Sequence, residues 1–236
     1  FPEAGSHALA MTGTGSLEGF AGVSIDGSLS VEVNKTGNAV NEDIATPGVN
    51  LTLNFADGAD IQRVAGSIDL VVDGFARLSG DYSFLKTGSG NTAKIIAAVS
   101  GLEAFLGLDG ANVSNRVGVS VSEGALTMAL YPETGKYALN GTGIGAILGV
   151  PDLELSGNVQ VRANTTGGAV TEIVNTSGGA RLITFNGSEG SLAEFQTIGA
   201  QLAIGGSVTA SGNLAIKRVT EGASSTTQIG ASNIQA

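Results

Sequence analysis

Residues 28–42 read SLSVEVNKTGNAVNE, and residues 158–172 read NVQVRANTTGGAVTE. In both stretches apolar and polar residues alternate before a short loop that contains Asn, Thr and Gly. A period of two places every second side chain on the same face, which is typical of a half-buried β-strand. Asn and Gly then favour a tight turn, since Asn bonds to nearby backbone and Gly adopts positive φ angles. The sequence therefore predicts a strand and a turn, and it predicts them twice.

The recurrence extends over most of the chain. FPEAGSHAL, which starts at Phe1, matches YPETGKYAL, which starts at Tyr131, with an offset of 130. A small length change later shifts the offset to 132, so that LSGDYSFLK at residues 78–86 matches ASGNLAIKR at residues 210–218. A period of this length implies many strands in each copy rather than one or two elements.

The match divides the chain into two repeat copies. Copy 1 comprises residues 1–130, and copy 2 comprises residues 131–236. Copy 2 is incomplete because it lacks the equivalent of residues 105–130. We interpret the chain as a segment of a longer tandem array.

Composition predicts an all-β fold. The chain has 37 glycines, no Trp and only 5% aromatic residues, and its apolar residues are mainly Val, Ile, Leu and Ala. Such a composition suits many short strands with frequent turns. Two architectures fit: an elongated tandem-repeat β structure, either solenoid-like or a continuous twisted sheet, or a string of β-sandwich domains. The low aromatic content and the absence of a Pro-rich or Gly/Ser-rich linker near residue 130 favour the elongated form.

Four stretches carry more local predictions. VSIDGSLSVEV at residues 23–33 predicts two strands joined by a glycine turn, and VSVSEGALTMAL at residues 119–130 predicts two strands joined by Ser-Glu-Gly. SGLEAFLG at residues 100–107 and EGSLAEFQT at residues 189–197 predict single helical turns, because their apolar residues depart from a period of two.

Charge and residue usage narrow the functional classes. The chain has 11 basic and 21 acidic residues, a net charge of −10, which disfavours nucleic acid as a partner. It has no cysteine, so it forms no disulfides or thiolate metal sites. No apolar run reaches the eighteen or so residues that a membrane helix needs, and no transmembrane segment is predicted. An acidic surface is soluble and attracts divalent cations, which suits an extracellular protein.

Catalytic chemistry has little support in the sequence. His7 is the only histidine, and its match in copy 2 is Tyr137. No pair of carboxylates stands out as an acid and base for glycoside hydrolysis. We therefore predict that the chain is not an enzyme.

Two loops are candidates for binding calcium. ADGAD supplies Asp57 and Asp60, and LDGANVSN supplies Asp109 and Asn112. Oxygen ligands around glycine turns are what hard cations prefer. Neither loop has the spacing of an EF-hand, and Asx residues beside glycine are commonly plain turns.

The repeated Asn–Thr–Gly loops allow two interpretations. In the structural one, Asn and Thr cap the backbone and Gly takes a positive φ angle. In the functional one, the loops are regularly spaced contacts for a glycan or a surface. The residues concerned are Asn34, Thr36 and Gly37 in copy 1, and Asn164, Thr166 and Gly167 in copy 2.

GVPDLELSGNVQVRANTTGGAVTE at residues 149–172, together with the matching stretches of copy 1, resembles a tandem repeat of giant bacterial surface proteins. These are very long extracellular proteins of cyanobacteria and marine proteobacteria, including proteins with an N-terminal LEPR-XLL segment. The resemblance covers almost the whole chain. It implies an extracellular, structural or adhesive role, with calcium as a candidate partner, and it offers no catalytic residues.

Three functional hypotheses follow from these observations. The first is a structural repeat of a giant secreted or cell-surface protein, acting as a spacer or fibre body in adhesion, sheath or filament formation. The second is a subunit of a non-covalent extracellular filament joined by strand addition. The third is a glycan- or surface-binding module. The expected partners are adjacent repeats of the same chain or neighbouring copies, and the expected location is extracellular or at the cell surface.

Overall fold

Strands make up nearly all of the regular structure in the computed structural model. It describes residues 5–17, 23–46, 49–72, 76–88, 90–108, 115–176, 179–206, 208–221 and 224–236. The strands are β1 (Ala8–Leu17), β2 (Val23–Asn34), β3 (Val40–Thr46), β4 (Val49–Phe55), β5 (Ile61–Val72), β6 (Ala76–Thr87), β7 (Lys94–Leu108), β8 (Val117–Tyr131), β9 (Lys136–Leu148), β10 (Leu153–Asn164), β11 (Val170–Thr176), β12 (Gly179–Phe185), β13 (Leu192–Ile204), β14 (Val208–Glu221) and β15 (Ser224–Gln235). The predicted all-β class is confirmed.

Eleven of these strands form one antiparallel sheet. Its order is β1-β2-β5-β6-β7-β8-β9-β10-β13-β14-β15, so strands that follow each other in the chain lie side by side. The exceptions are two hairpins, β3–β4 and β11–β12, which form separate two-stranded sheets. Of the architectures that fit the sequence, the structure has the continuous sheet. Short connections between antiparallel neighbours produce this order without crossovers.

Both hairpins leave the sheet at the Asn–Thr–Gly loops. Strand β2 ends at Asn34 and the hairpin β3–β4 follows, after which β5 returns to pair with β2. Strand β10 ends at Asn164 and the hairpin β11–β12 follows, after which β13 returns to pair with β10. The repeated sequence motif thus lies at the same point of a repeated strand arrangement.

The sheet has two different faces. Hairpin β11–β12 lies across β6, β7, β8 and β9 on one of them, which we call the hairpin face. Cross-strand partners share a face, so the partners Ile96 and Ala129 lie on the hairpin face while Val99 and Leu126 lie on the other. We call this other side the open face. Its half-exposed large apolar side chains are Leu9, Met11, Leu29, Val64, Ile68, Phe84, Leu106, Leu108, Val119, Tyr137, Leu155, Val161, Phe195, Ile204, Val208, Leu214, Ile216, Ile229 and Ile234.

The two predicted glycine turns are wrong. Strand β2 runs through Gly27 and pairs with β1 without interruption. Strand β8 runs through Ser-Glu-Gly, where Glu123 has a φ of 51° and the register with β9 shifts between Ser122 and Ala125. A bulge of this kind absorbs an extra residue while the ladder hydrogen bonds continue on either side. Pairing with a neighbour on both edges therefore overrides the local turn preference.

The two predicted helical turns are also wrong. Residues 100–107 belong to β7, and most of residues 189–197 belong to β13. The register of β7 shifts around Leu102 and that of β13 shifts after Thr197. In β7 the bulge resets the two-residue alternation, so the apolar spacing imitates that of a helix. In β13 the shift lies beyond the predicted turn, and the apolar residues Leu192 and Phe195 instead lie on opposite faces of the sheet. Short 3₁₀ turns occur instead at Gly90–Thr92 and Gly187–Glu189.

Among the described residues, no helix is long and apolar enough to span a lipid bilayer.

Candidate functional site

Hairpin β11–β12 packs on the sheet through a buried apolar contact. Two apolar clusters form it, and together they contain most of the fully buried large side chains. The first cluster consists of Ala138, Val170, Ile183, Phe185 and Leu192. The second consists of Ile96, Ala98 and Val174. Burial of each large side chain contributes about 1.5–3 kcal/mol, so the hairpin is held firmly on the sheet.

An ion pair ties the hairpin to two sheet strands. Lys94 Nζ donates to both carboxylate oxygens of Glu172, at 2.8 and 2.6 Å. Tyr131 donates its hydroxyl to the same carboxylate at 3.4 Å. Burial, and then the charge and hydrogen bond of Glu172, raise the pKa of Tyr131. Because Glu172 lies on β11 of copy 2 while Lys94 lies on β7 of copy 1, the pair joins the two copies.

Arg162 organises the base of the hairpin. Its guanidinium contacts Glu189 at 2.9 Å and Glu194 at 3.2 Å. It also lies 4.9 Å from the centre of the Phe185 ring, a cation–π geometry. One side chain thus joins β10, the turn after β12, and β13. The hydrogen bond from the Asn186 N–H, and then Arg162, lower the pKa of Glu189 despite burial.

The lowered pKa predicts an acid-dependent contribution to stability. Because the folded-state pKa of Glu189 lies below its unfolded value, its contribution is fully present above the unfolded-state pKa. It is lost as the pH falls through the folded-state pKa. We expect Glu189→Gln to lower the free energy of unfolding at pH 7, and the difference from wild type to shrink as the pH falls below about 4.5. Urea unfolding between pH 7 and pH 3 measures this difference, with the exposed Glu133→Gln as control. A difference that is constant across this range would contradict the prediction.

The Asn–Thr–Gly loop of copy 2 is closed by its own side chains. Asn164 is completely buried. Its Oδ1 accepts from the Thr166 N–H at 3.0 Å and from the Thr166 hydroxyl at 2.8 Å, and its Nδ2 donates to the Gly168 carbonyl at 2.9 Å. Gly167 has a φ of 85°, which is a left-handed conformation that favours glycine. The amide of Asn164 is therefore occupied within the loop.

The loop of copy 1 repeats this arrangement and adds one bond. Asn34 is also completely buried, and its Oδ1 accepts from the N–H and hydroxyl of Thr36 at 3.0 and 2.8 Å. Its Nδ2 donates to the carbonyls of Asn38 and Asp57, both at 3.0 Å. The bond to Asp57 joins the loop before the hairpin to the loop after it. This geometry supports the structural interpretation, since both amides are used inside the protein.

A close approach of backbones explains two further glycines. A Cβ at Gly58 would overlap the carbonyl of Gly37, whose φ is 72°. A Cβ at Gly190 would overlap the carbonyl carbon of Gly167. The N–H of Gly167 donates to the Gly190 carbonyl at 2.8 Å. Each hairpin is thus fastened at its base by two loops packed against each other.

The candidate calcium residues are placed only in part. Asp57 accepts from the Ala59 N–H at 3.0 Å, as in a plain Asx turn, and Asp60 is exposed. Asp109 and Asn112 lie outside the described residues. In the described ranges, no three or more His, Cys, Asp or Glu residues come close enough to hold a metal ion. Calcium binding stays a prediction.

The sequence pattern did not identify Lys94, Glu172 and Arg162 as residues that hold the hairpin on the sheet. One signal in the sequence is the match of Glu42 with Glu172, an acid that both copies keep on the same side of the strand as the neighbouring apolar residues. Lys94 and Arg162 gave no such signal, because their partners are distant in sequence. Glu172 lies 78 positions from Lys94.

Comparisons with protein-family models, with curated proteins and with solved structures found no match. The resemblance to repeats of giant surface proteins stays a prediction, and function is argued from the geometry.

Proposed function

We propose that this chain is a structural repeat segment of a giant secreted or cell-surface protein, where it extends one antiparallel sheet as a spacer or fibre body. The observation that carries the proposal is the unequal burial of two equivalent hairpins. Val174 of β11 is 1% exposed, whereas Ile44, at the matching position of β3, is 48% exposed. The same element therefore has a completed contact in one copy and an open one in the other.

The completed contact supports a model in which a hairpin joins neighbouring copies. Hairpin β11–β12 belongs to copy 2, but the strands β6, β7 and β8 beneath it belong to copy 1. Hairpin β3–β4 contacts β1 in copy 1. In copy 2 the matching contact is that of β12 with β9, the strand that corresponds to β1. We infer that β3–β4 is built to lie on strands equivalent to β6, β7 and β8 from a neighbouring copy. Each hairpin then fastens one copy to the next.

The edges of the sheet support the same proposal. Within the described residues, strands β1 and β15 each pair on one side only, and every residue of β15 is exposed. In the repeat, β15 corresponds to β7, which is covered by hairpin β11–β12 and flanked by β8. Unpaired edge groups are a template for another strand. The neighbour belongs either to the same chain or to a separate molecule, and the latter is the filament-subunit alternative.

The glycan- or surface-binding alternative is less favoured. It relied on the Asn–Thr–Gly loops, and the amides of Asn34 and Asn164 are buried and hydrogen-bonded inside the protein. A ligand could reach them only after the loops had opened.

Self-association of the isolated chain tests the proposal. We expect sedimentation velocity to show larger species as concentration rises, and Ile44→Asp to weaken this association at least about tenfold, since a charge would be buried in the contact. The matched control is Ile173→Asp, because Ile173 lies on the outer side of its hairpin and is 57% exposed. A chain that stays monomeric at all concentrations, or equal effects of both variants, would contradict the proposal.

A further inference from the structure

The open face is apolar from one edge of the sheet to the other. Its large apolar side chains are roughly 37–72% exposed, and each of the eleven strands carries at least one of them. Eleven strands spaced about 4.8 Å apart span about 50 Å. Soluble monomers rarely expose a contiguous apolar patch of more than a few hundred Å². The face therefore has the character of an interaction surface.

Charge is distributed very unevenly on this face. The chain has 21 acidic residues, yet the described strands place no carboxylate on the open face at any position that has a cross-strand partner. The charged side chains there are Lys86 and Arg218, which share their faces with Phe84 and Ile216. Lys86 and Arg218 occupy matching positions of the two copies. Each copy thus puts one cation at the same end of an apolar surface.

An apolar cavity lies on the open face next to the strand that carries Arg218. Ile216 pairs with Phe195, which lines a cavity of about 240 Å³ on the open face. Val119, Leu155 and Val159 also line this cavity, where Gly145 and Gly157 have no side chains to fill it. The cavity wall is almost entirely apolar, so it suits hydrocarbon rather than a polar ligand.

The dimensions fit a long acyl chain. From Lys86 to Gly80, or from Arg218 to Gly212, six residues of extended strand span about 20 Å. The acyl chains of one bilayer leaflet span half of a hydrocarbon core about 30 Å thick, which is about 15 Å. An acyl chain can therefore lie along the apolar half of one strand with its head group at the cation.

We propose that the open face binds long-chain fatty acids, with the carboxylate at Arg218 or Lys86 and the acyl chain along the apolar strands. A second copy packed face to face is disfavoured by charge. The second copy would present another face without carboxylates, so Lys86 and Arg218 of both copies would lack anionic partners at the interface. A fatty acid supplies both the hydrocarbon and the missing negative charge.

Fluorescence of cis-parinaric acid, which rises in an apolar environment, tests this site on the intact chain. We expect a saturable rise, and we expect Arg218→Glu and Lys86→Glu each to raise the apparent Kd, with about a tenfold loss when the two are combined. Lys35→Glu is the matched control, because Lys35 is exposed on the loop after β2 and the change in net charge is the same for each single variant. Val119→Asp, placed in the cavity wall, should also weaken binding while circular dichroism shows the fold intact.

Several results would overturn the proposal. The first is the absence of saturable binding, and the second is an equal loss in Lys35→Glu, which would mean long-range attraction alone. The third is a dimer that excludes the probe and is broken by Val119→Asp, which would assign the face to a second copy. The fourth is binding to phosphatidylglycerol vesicles without binding of the monomeric probe, which would assign it to a membrane surface.

Discussion

Phe185→Ala is expected to release hairpin β11–β12 from the sheet and to cost about 3–5 kcal/mol of local stability. Phe185 is 1% exposed and belongs to the larger buried cluster under the hairpin. Its removal leaves a cavity, and it also takes away the ring over which the Arg162 guanidinium lies. The loss should appear first in the hairpin, because the sheet retains its own ladder of hydrogen bonds.

Hydrogen exchange of the β11 and β12 amides measures this loss directly, since exchange reports local opening separately from global unfolding. The control is Leu182→Ala on the same strand, whose side chain points outward and is 55% exposed. We expect it to change protection by no more than about 0.5 kcal/mol. Similar losses in the two variants would mean that the buried face of the hairpin does not hold it on the sheet.

Asn164→Ala is expected to be nearly as damaging, with a loss of about 3 kcal/mol. The substitution removes the acceptor for two groups of Thr166 and the donor to the Gly168 carbonyl, all in a fully buried setting. A buried polar group left without a partner costs about 1–3 kcal/mol. The loop would no longer hold its left-handed Gly167 against Gly190, and the base of the hairpin would loosen.

Urea unfolding, with exchange of the β11 amides as a local probe, tests the Asn164 prediction. Asn175→Ala is the matched control, because Asn175 is exposed on the same hairpin. If Asn164→Ala were as stable as the control, the loop would not depend on its asparagine. The structural interpretation of the repeated motif would then be lost.

In the proposed array, these contacts would stiffen the junction between neighbouring copies. A single antiparallel sheet is free to twist and bend, and bulges bend it further. A hairpin that belongs to one copy and packs on the strands of another braces the sheet across that junction. In this chain the brace combines an apolar cluster with the Lys94–Glu172 pair, whose side chains are 31% and 13% exposed. Both contributions depend on the neighbouring copy being present.

Much of the strand content was predictable because the sequence alternates with a period of two. The turn at the Asn–Thr–Gly motif was also predictable, since most of the side-chain hydrogen bonds of the motif lie within four residues. Where bulges interrupt β7 and β8, the alternation shifts by one, and the sequence pattern predicted a helical turn in β7 and a glycine turn in β8. A bulge is stabilised by pairing with the neighbouring strand, and that partner cannot be read from a local window.

The sequence by itself determined the repeat, the all-β class and the loops from which the hairpins leave the sheet. Strands and loops are encoded in residues that are close together, and the repeat appears when the two copies are aligned. Only the tertiary structure decided which face each strand buries and which copy each hairpin covers. In copy 1, Glu32 forms a cross-strand ion pair with Arg63 at 2.9 Å. In copy 2 the charges are exchanged, and Arg162 pairs with Glu194 at 3.2 Å. An alignment of the two copies in sequence shows only that the residues at these positions differ. The physical reason is that these choices depend on contacts between residues distant in sequence, which arise once the sheet has formed.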